Sequence, residues 1–197
     1  MFNPFAERSH EKMKEVLYKP DAEGPAVHYY MIRGGKDKTN ITVWETGTVG
    51  NPFDKTQGKE YIKTYGHYHV GDISETYHII QGEGILLLQK RKMDKDGKPI
   101  DDEIESFEAI KVKAGDKKFI TPEIGHLMVN TGDIWLVTSD DSPVYTTDVD
   151  PVSMPGHADY TAVQKMGGFA YFVVEKDGKP TLVKNPKYKV VPKASIQ

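Results

Sequence analysis

The sequence predicts an all-β protein, an antiparallel β-barrel or two-sheet jelly roll with little helix. From Ala26 onward, short runs rich in Val, Ile, Tyr, Phe and Thr alternate with clusters of Gly, Asp and Lys, which is the pattern of short strands joined by turns. The turns at residues 95–98 and 176–179 each contain a glycine, and glycine tolerates the positive φ angles of tight hairpins. A chain of 197 residues suits one domain with an adequate core.

Ten strands are predicted in order, at residues 27–33, 40–45, 60–65, 75–81, 85–93, 104–112, 118–121, 134–139, 169–175 and 181–183. Two short helical patterns accompany them. Residues 7–18 carry Met13, Val16 and Leu17 at helical spacing, and the second pattern, near residues 160–166, ends at a glycine pair. We therefore expect a short N-terminal helix in an arm of residues 1–25, followed by a single barrel domain over residues 26–197.

Composition excludes several classes of function. The 26 basic and 29 acidic residues give a net charge of −3, so the chain lacks the basic surface of a nucleic-acid-binding protein. The absence of cysteine excludes disulfides, thiolate metal sites and cysteine nucleophiles. Its apolar runs are too short to cross a membrane, and the N-terminus does not have the pattern of a signal peptide. We expect a cytoplasmic protein that binds neither nucleic acid nor membranes.

Histidines and one glutamate form the strongest motif in the chain. His67 and His69 stand two apart, so on a strand both rings point to the same face. Glu75 opens the next apolar run, and His126 follows a Pro- and Gly-containing turn. Imidazole and carboxylate ligands suit Fe²⁺, Mn²⁺, Ni²⁺, Co²⁺ or Zn²⁺, and we expect one divalent ion at these four residues.

The other histidines are expected to have different roles. His78 lies on the opposite face of its strand from Glu75 and is interpreted as structural. We expect His10 and His28 to be exposed.

Three motifs carry a resemblance to a known family. Gly66-His67-x-His69 with Glu75 and Gly82 resembles the first cupin motif, and the stretch from Gly115 to Asn130 around His126 resembles the second. The finer pattern Thr64-x-Gly66-His67-aromatic-His69, Glu75-x-Tyr77 and Gly156-His157-x-Asp159-Tyr160 is similar to the cupin-type phosphoglucose isomerases of archaea and some bacteria. The resemblance spans residues 40–188 and implies a cupin-like barrel.

The resemblance also implies an activity and a set of site residues. It implies a metal-dependent interconversion of glucose 6-phosphate and fructose 6-phosphate, with iron as the most common metal and a homodimer as the assembly. The implied metal ligands are His67, His69, Glu75 and His126; the implied phosphate contacts are Thr42, Thr64 and the amide of Gly66; and the implied residues around the sugar are Tyr77, His157 and Tyr160. The apolar residues Met13, Val16 and Leu17 suggest that the N-terminal arm forms the dimer contact.

Alternatives remain open at this point. The proton could move through Glu75, through His157 or through hydroxide on the metal, or the hydrogen could shift as a hydride without any base. Two histidines and a carboxylate also suit an iron-dependent cupin oxygenase. A sugar-binding cupin without turnover is the third possibility.

Overall fold

The computed structural model describes residues 3–34, 39–50 and 58–197. Fifteen strands are defined in this part of the chain: β1 (Phe5–Ser9), β2 (Val27–Ile32), β3 (Asn40–Trp44), β4 (Thr48–Val49), β5 (Lys59–Tyr61), β6 (Tyr68–His69), β7 (Glu75–Gln81), β8 (Glu83–Met93), β9 (Pro99–Lys113), β10 (Lys117–Ile120), β11 (Ile124–Asn130), β12 (Leu136–Asp140), β13 (Ala158–Asp159), β14 (Tyr171–Lys176) and β15 (Lys179–Lys184). The helices are α1 (His10–Met13) and α2 (Thr161–Met166), with a 3₁₀ turn at Lys14–Val16.

The strands pair in antiparallel ladders, as the alternating sequence pattern predicts. The largest sheet has the order β1-β2-β3-β12-β7-β10, and a second sheet has the order β11-β8-β9. Two smaller sheets, β13-β6 and β15-β14-β5-β4, complete the structure. The prediction of an all-β fold with two short helices is confirmed. Neither described helix is long and apolar enough to span a membrane.

The core lies between the inner faces of these sheets. Along β7, Glu75, Tyr77 and Ile79 are buried whereas the residues between them are partly exposed, which is the alternation of a strand with one face against the core. Strand β11 is buried along almost its whole length, and it is paired on both edges, with β8 on one side and with residues 62–67 on the other. Residues of β7 and β11 can therefore point into the same interior space.

The N-terminal helix is much shorter than the predicted range of residues 7–18. The chain starts as an edge strand, β1, that pairs with β2, and only α1 and the 3₁₀ turn are helical. Ser9 ends the strand and caps α1, since its hydroxyl accepts a hydrogen bond from the amide of Lys12 at 3.4 Å. Without residues 5–9, the backbone N–H and C=O groups along the edge of β2 would lack partners. Pairing with them explains why residues 5–9 join a sheet rather than extend the helix.

The apolar residues of this segment are buried within their own chain. Met13, Val16 and Leu17 are at most 3% exposed. A buried ion pair holds the segment in place: Lys63 Nζ lies 2.7 Å from Glu60 and donates to the carbonyl of Val16 at 2.6 Å. These three side chains are therefore unavailable for the dimer contact that the sequence suggested, and the homodimer stays a prediction without that argument.

The expectation that His10 and His28 are exposed is wrong. His28 is fully buried and His10 is partly buried, and their ring nitrogens lie 2.9 Å apart. Gly24 packs so closely against His10 that a Cβ there would lie 2.6 Å from its ring. The close return of the chain after the 3₁₀ turn buries both rings, and no periodicity in the sequence signals that return.

Candidate metal centre

Three strands and a short irregular segment bring together the four predicted metal ligands. His69 lies on β6, Glu75 begins β7 and His126 lies on β11, while His67 forms an isolated antiparallel bridge with His126. One ligand atom from each residue lies within 4.8 Å of all the others. Antiparallel pairing of β11 with the segment just before β6, of which this bridge is part, is what makes residues far apart in sequence converge.

Charge and burial in the cluster suit a metal ion. His126 Nε2 is 2.6 Å and His69 Nε2 is 3.4 Å from the same oxygen of Glu75. Although these atoms are close, Nε2 of His67, Nε2 of His69 and Nε2 of His126 are buried and make no well-formed hydrogen bond. Buried polar atoms without partners are costly, so such a set indicates a ligand that the side chains are arranged to meet.

The protonation states agree with that assignment. Burial lowers the pKa of His67 well below its usual value, and the nearby His126 adds to the effect, so His67 is a neutral imidazole with a free lone pair. Burial alone would raise the pKa of Glu75, but the adjacent imidazoles, His126 foremost, hold it well below its usual value. Three imidazoles and one carboxylate are a donor set that a divalent transition metal prefers.

Tyr77 and His157 border the cluster. The Tyr77 ring stands edge-on to His126 at 5.5 Å between centroids, and burial with the nearby Glu75 charge raises its pKa, so the phenol stays protonated. The His157 ring lies 5.9 Å from His67 and 6.0 Å from His69. Burial lowers the pKa of His157 to about 4, and its Nδ1 has no hydrogen-bond partner.

A two-stranded sheet fixes the late motif against the first histidines. Ala158 of β13 pairs with His69, and the amide of Val70 donates to the carbonyl of His157 at 2.8 Å. Tyr160 follows directly, and its ring lies 5.4 Å from His67. The segments that contain His67 and His157, 90 positions apart in sequence, thus share one side of the cluster.

The predicted phosphate contacts are less closely grouped. Thr64 packs on β11, where its hydroxyl accepts from the amide of Met128 at 3.1 Å. Gly66 has a φ of 82° and lies so near Phe169 that a Cβ would be 2.7 Å from the ring, so only glycine fits. Thr42 is buried on β3 opposite Thr138, and none of the contacts of the described residues joins it to Thr64 or Gly66.

Comparison with known proteins assigns the chain to a protein family. The family model described as glucose-6-phosphate isomerase (GPI) matches residues 30–190. The chain belongs to the glucose-6-phosphate isomerase family. The predicted relation to cupin-type phosphoglucose isomerases is confirmed by this match.

Named relatives in this family come from archaea. The glucose-6-phosphate isomerase of Thermococcus onnurineus is 32% identical over 136 residues, which cover 67% of this chain and 58% of that protein. The enzyme of the same name from Thermococcus litoralis is 30% identical over 187 residues, which cover 90% of this chain and 80% of that protein. The matched region therefore spans under two thirds of the first relative's length and most of the second.

Solved structures share a more distant likeness. A predicted oxalate decarboxylase from Thermotoga maritima overlaps with a TM-score of 0.38 at 17% identity, covering 69% of this chain and 88% of that one. The Drosophila melanogaster CENP-C cupin domain overlaps with a TM-score of 0.39 at 11% identity, covering 63% of this chain and 77% of that one. The assignment to the isomerase family rests on the sequence matches.

Two enclosed arginines, Arg33 and Arg8, were not identified by the sequence analysis. Arg33 is largely buried, with its Nη1 3.6 Å from Asp140 and its Nε donating to the carbonyl of Val152 at 3.0 Å. Arg8, on β1, is 3% exposed. One signal was present: the chain has 23 lysines and only three arginines, and Arg8 and Arg33 are two of the three.

Proposed function

We propose that this protein is a metal-dependent isomerase that interconverts glucose 6-phosphate and fructose 6-phosphate, a step shared by glycolysis and gluconeogenesis. The observation that carries the proposal is the buried set of three imidazoles and one carboxylate, within 4.8 Å of one another, in a chain of the glucose-6-phosphate isomerase family. The protein would work in the cytoplasm as a homodimer.

His67, His69, Glu75 and His126 would hold the ion, and the cluster offers one ligand atom from each. Fe²⁺ is the proposed native ion, and Mn²⁺, Ni²⁺, Co²⁺ and Zn²⁺ also prefer such donors. When bound, a divalent ion supplies Lewis-acid polarisation of the oxygens on C1 and C2 of the sugar. The remaining chemistry belongs to the side chains.

The reaction must move one hydrogen between C2 and C1. A base for this transfer must be unprotonated near neutral pH, and both Glu75 and His157 meet that condition because their pKa values are lowered. Tyr77, which stays protonated, is the neighbouring donor that would steady a sugar oxygen. Glu75 is the proposed base, with His157 as the group that positions the sugar hydroxyls.

The substrate phosphate would lie away from the ion, toward the segment Thr64–Gly66. Thr42 and Thr64 offer hydroxyls, and the positive φ of Gly66 lets the backbone approach an anion closely. The Tyr160 ring lies 5.4 Å from the His67 ring and meets the Tyr65 ring edge-on at 5.5 Å, so it contacts both a metal ligand and this segment. It would line the sugar chain between the two ends of the site.

The test combines metal analysis with a coupled assay on fructose 6-phosphate. We expect about one divalent ion per chain and NADP⁺ reduction when glucose-6-phosphate dehydrogenase is present as the coupling enzyme. Exhaustive chelation should abolish turnover, and readdition of Fe²⁺ should restore it. Metal-loaded protein without isomerisation would refute the proposal, and oxygen consumption by that protein would favour an oxygenase instead.

A further inference from the structure

Arg8 is a buried cation without a carboxylate partner in the described part of the chain. Its side chain is enclosed, and the contacts it makes are with neutral groups. Asp150 affects the guanidinium through longer-range electrostatics but forms no ion pair with it. Since a buried charge is strongly disfavoured unless it is compensated, an unpaired arginine of this kind indicates an anion that the site receives.

Much of the hydrogen-bonding capacity of Arg8 is unused. A guanidinium has five N–H donors. Nε donates to the hydroxyl of Tyr29 at 3.1 Å, and Nη2 donates to the carbonyl of Ser153 at 2.6 Å. The one further hydrogen-bond acceptor of Nη1 and Nη2 among the described residues is the sulfur of Met154 at 3.6 Å, and a thioether is a weak acceptor. The N–H groups of Nη1 and Nη2 that face only this sulfur remain available to donate to two oxygens of an anion.

Tyr29 offers a second donor at the same place. Its hydroxyl oxygen accepts from Arg8 and also from the amide of Tyr65, at 3.4 Å. Since both of these partners are donors, the hydrogen of the phenol is left to donate. Arg8 and Tyr29 therefore present donors together.

This pair adjoins the substrate side of the metal centre. The Arg8 guanidinium lies 5.7 Å from the Tyr65 ring, which meets Tyr160 edge-on, and Tyr160 in turn lies 5.4 Å from His67. Tyr65 stands between Thr64 and Gly66 in sequence, so its amide ties Tyr29 to the segment proposed to receive phosphate. Arg33, the other buried arginine, already faces Asp140 and is less suited to bind a new anion.

We propose that Arg8, with the hydroxyl of Tyr29, binds the phosphate dianion of the substrate, so that the edge strand β1 supplies the charge that selects phosphorylated over neutral sugars. This inference rests on the proposed function for the identity of the sugar, but the anion site itself does not depend on turnover. Arg8 thus acts as a specificity-determining residue.

Binding of inorganic phosphate to the metal-loaded protein tests the anion site directly. Because binding to the folded state raises Tm, a titration with phosphate yields its Kd without an activity assay. We expect Arg8→Gln to weaken phosphate binding by at least about tenfold, the factor expected for loss of a charged hydrogen bond. Tyr29→Phe should weaken it by a smaller factor. Lys92→Gln removes the same charge from the surface of the β8–β9 hairpin and should leave it unchanged.

Kinetics provide the second readout. Arg8→Gln should raise KM for fructose 6-phosphate far more than it lowers kcat, and inhibition by phosphate should weaken in parallel. Arg8→Lys keeps the charge and should retain part of the affinity, which covers the case in which Arg8→Gln does not fold. A folded Arg8→Gln protein, or a folded Arg8→Lys protein in its place, with wild-type phosphate affinity and KM would overturn the inference and leave Arg8 as a structural link to residues 153–154.

The two proposals fail in different ways. Arg8-dependent phosphate binding by a metal-loaded protein that does not isomerise sugar phosphates would uphold the anion site and refute the isomerase. Isomerase activity in a wild-type protein whose Tm does not respond to phosphate would do the reverse.

Discussion

His67 and His126 face each other across an antiparallel bridge between β11 and the segment that leads into β6. Each amide donates to the carbonyl of the other residue, at 3.2 Å and 3.0 Å, and the ring centroids are 4.4 Å apart with the planes 70° to one another. The backbone thus sets the relative position of two ligands independently of any ion. Such preorganisation reduces the ordering that metal binding must impose on the chain.

Replacement of His126 should remove the metal. His126→Asn deletes one of four donors from a buried cluster, so the metal content of purified protein should fall well below one ion per chain, and Fe²⁺ should no longer raise Tm. Elemental analysis and thermal denaturation measure both effects. His78→Asn is the matched control, since His78 lies on the other face of β7 and is partly exposed. Full metal content in His126→Asn would contradict the assignment.

Glu75→Gln should separate the roles of ligand and base. The amide keeps the shape and one acceptor oxygen but cannot take up a proton. If Glu75 is the base, kcat should fall by about 10² to 10⁴ while metal remains bound at saturating concentration. If the loss of kcat disappears at high metal concentration, Glu75 is a metal ligand and not the base.

Turnover in D₂O checks the same step in the wild-type protein. A proton carried by Glu75 exchanges with solvent, so deuterium should appear on carbon in the product, as mass spectrometry can detect. Near-normal kcat in metal-loaded Glu75→Gln, together with no deuterium incorporation, would favour a hydride shift without a base.

Burial of His28 should make the fold sensitive to mild acid. Burial, with the nearby His10 and Lys63, lowers the pKa of His28 from 6.5 to about 3. Between these values the unfolded chain binds a proton that the folded chain does not, so stability falls as pH drops below about 6.5. From pH 7 to pH 5 this single group should reduce the free energy of unfolding by about 2 kcal/mol.

Urea denaturation of wild type and His28→Gln at both pH values isolates that contribution. The variant has no imidazole at this position, so its stability should change less between pH 7 and pH 5 than that of the wild type. Equal changes in the two proteins would show that other groups cause the acid sensitivity.

Loss of one partner of the buried Lys63–Glu60 pair should destabilise the fold strongly. Lys63→Met leaves the Glu60 carboxylate buried without its cation and also removes the bond to Val16, so we expect a loss of about 3–5 kcal/mol in the free energy of unfolding. The double variant Lys63→Met/Glu60→Gln should recover part of that loss. Chemical denaturation measures each protein.

Lys14→Met serves as the control for that experiment. It breaks the exposed ion pair with Glu11, and exposed pairs contribute little, so stability should hardly change. A Lys63→Met protein that is no less stable than Lys14→Met would mean that the buried pair contributes nothing to the anchoring of the N-terminal segment.

Local patterns account for the parts of the structure that the sequence predicted. Alternation and glycine turns predicted strands β7, β8 and β9, because side chains on a half-buried strand must repeat every two residues. The same rule placed Glu75 and Tyr77 on one face. The local pattern wrongly predicted that His28 and His10 are exposed, because the environment of each depends on the other, which lies in a distant segment.

The sequence by itself determined the all-β class, the candidate ligands His67, His69, Glu75 and His126, and the resemblance to the isomerase family, since each is carried by residue type and short spacing. Only the tertiary structure decided that Arg8 lies buried beside Tyr29 and that residues 5–9 form a strand. The physical reason is that burial and convergence of charge come from pairings between segments far apart in the chain. A single arginine on an edge strand has the same local sequence signature whether it faces solvent or a substrate.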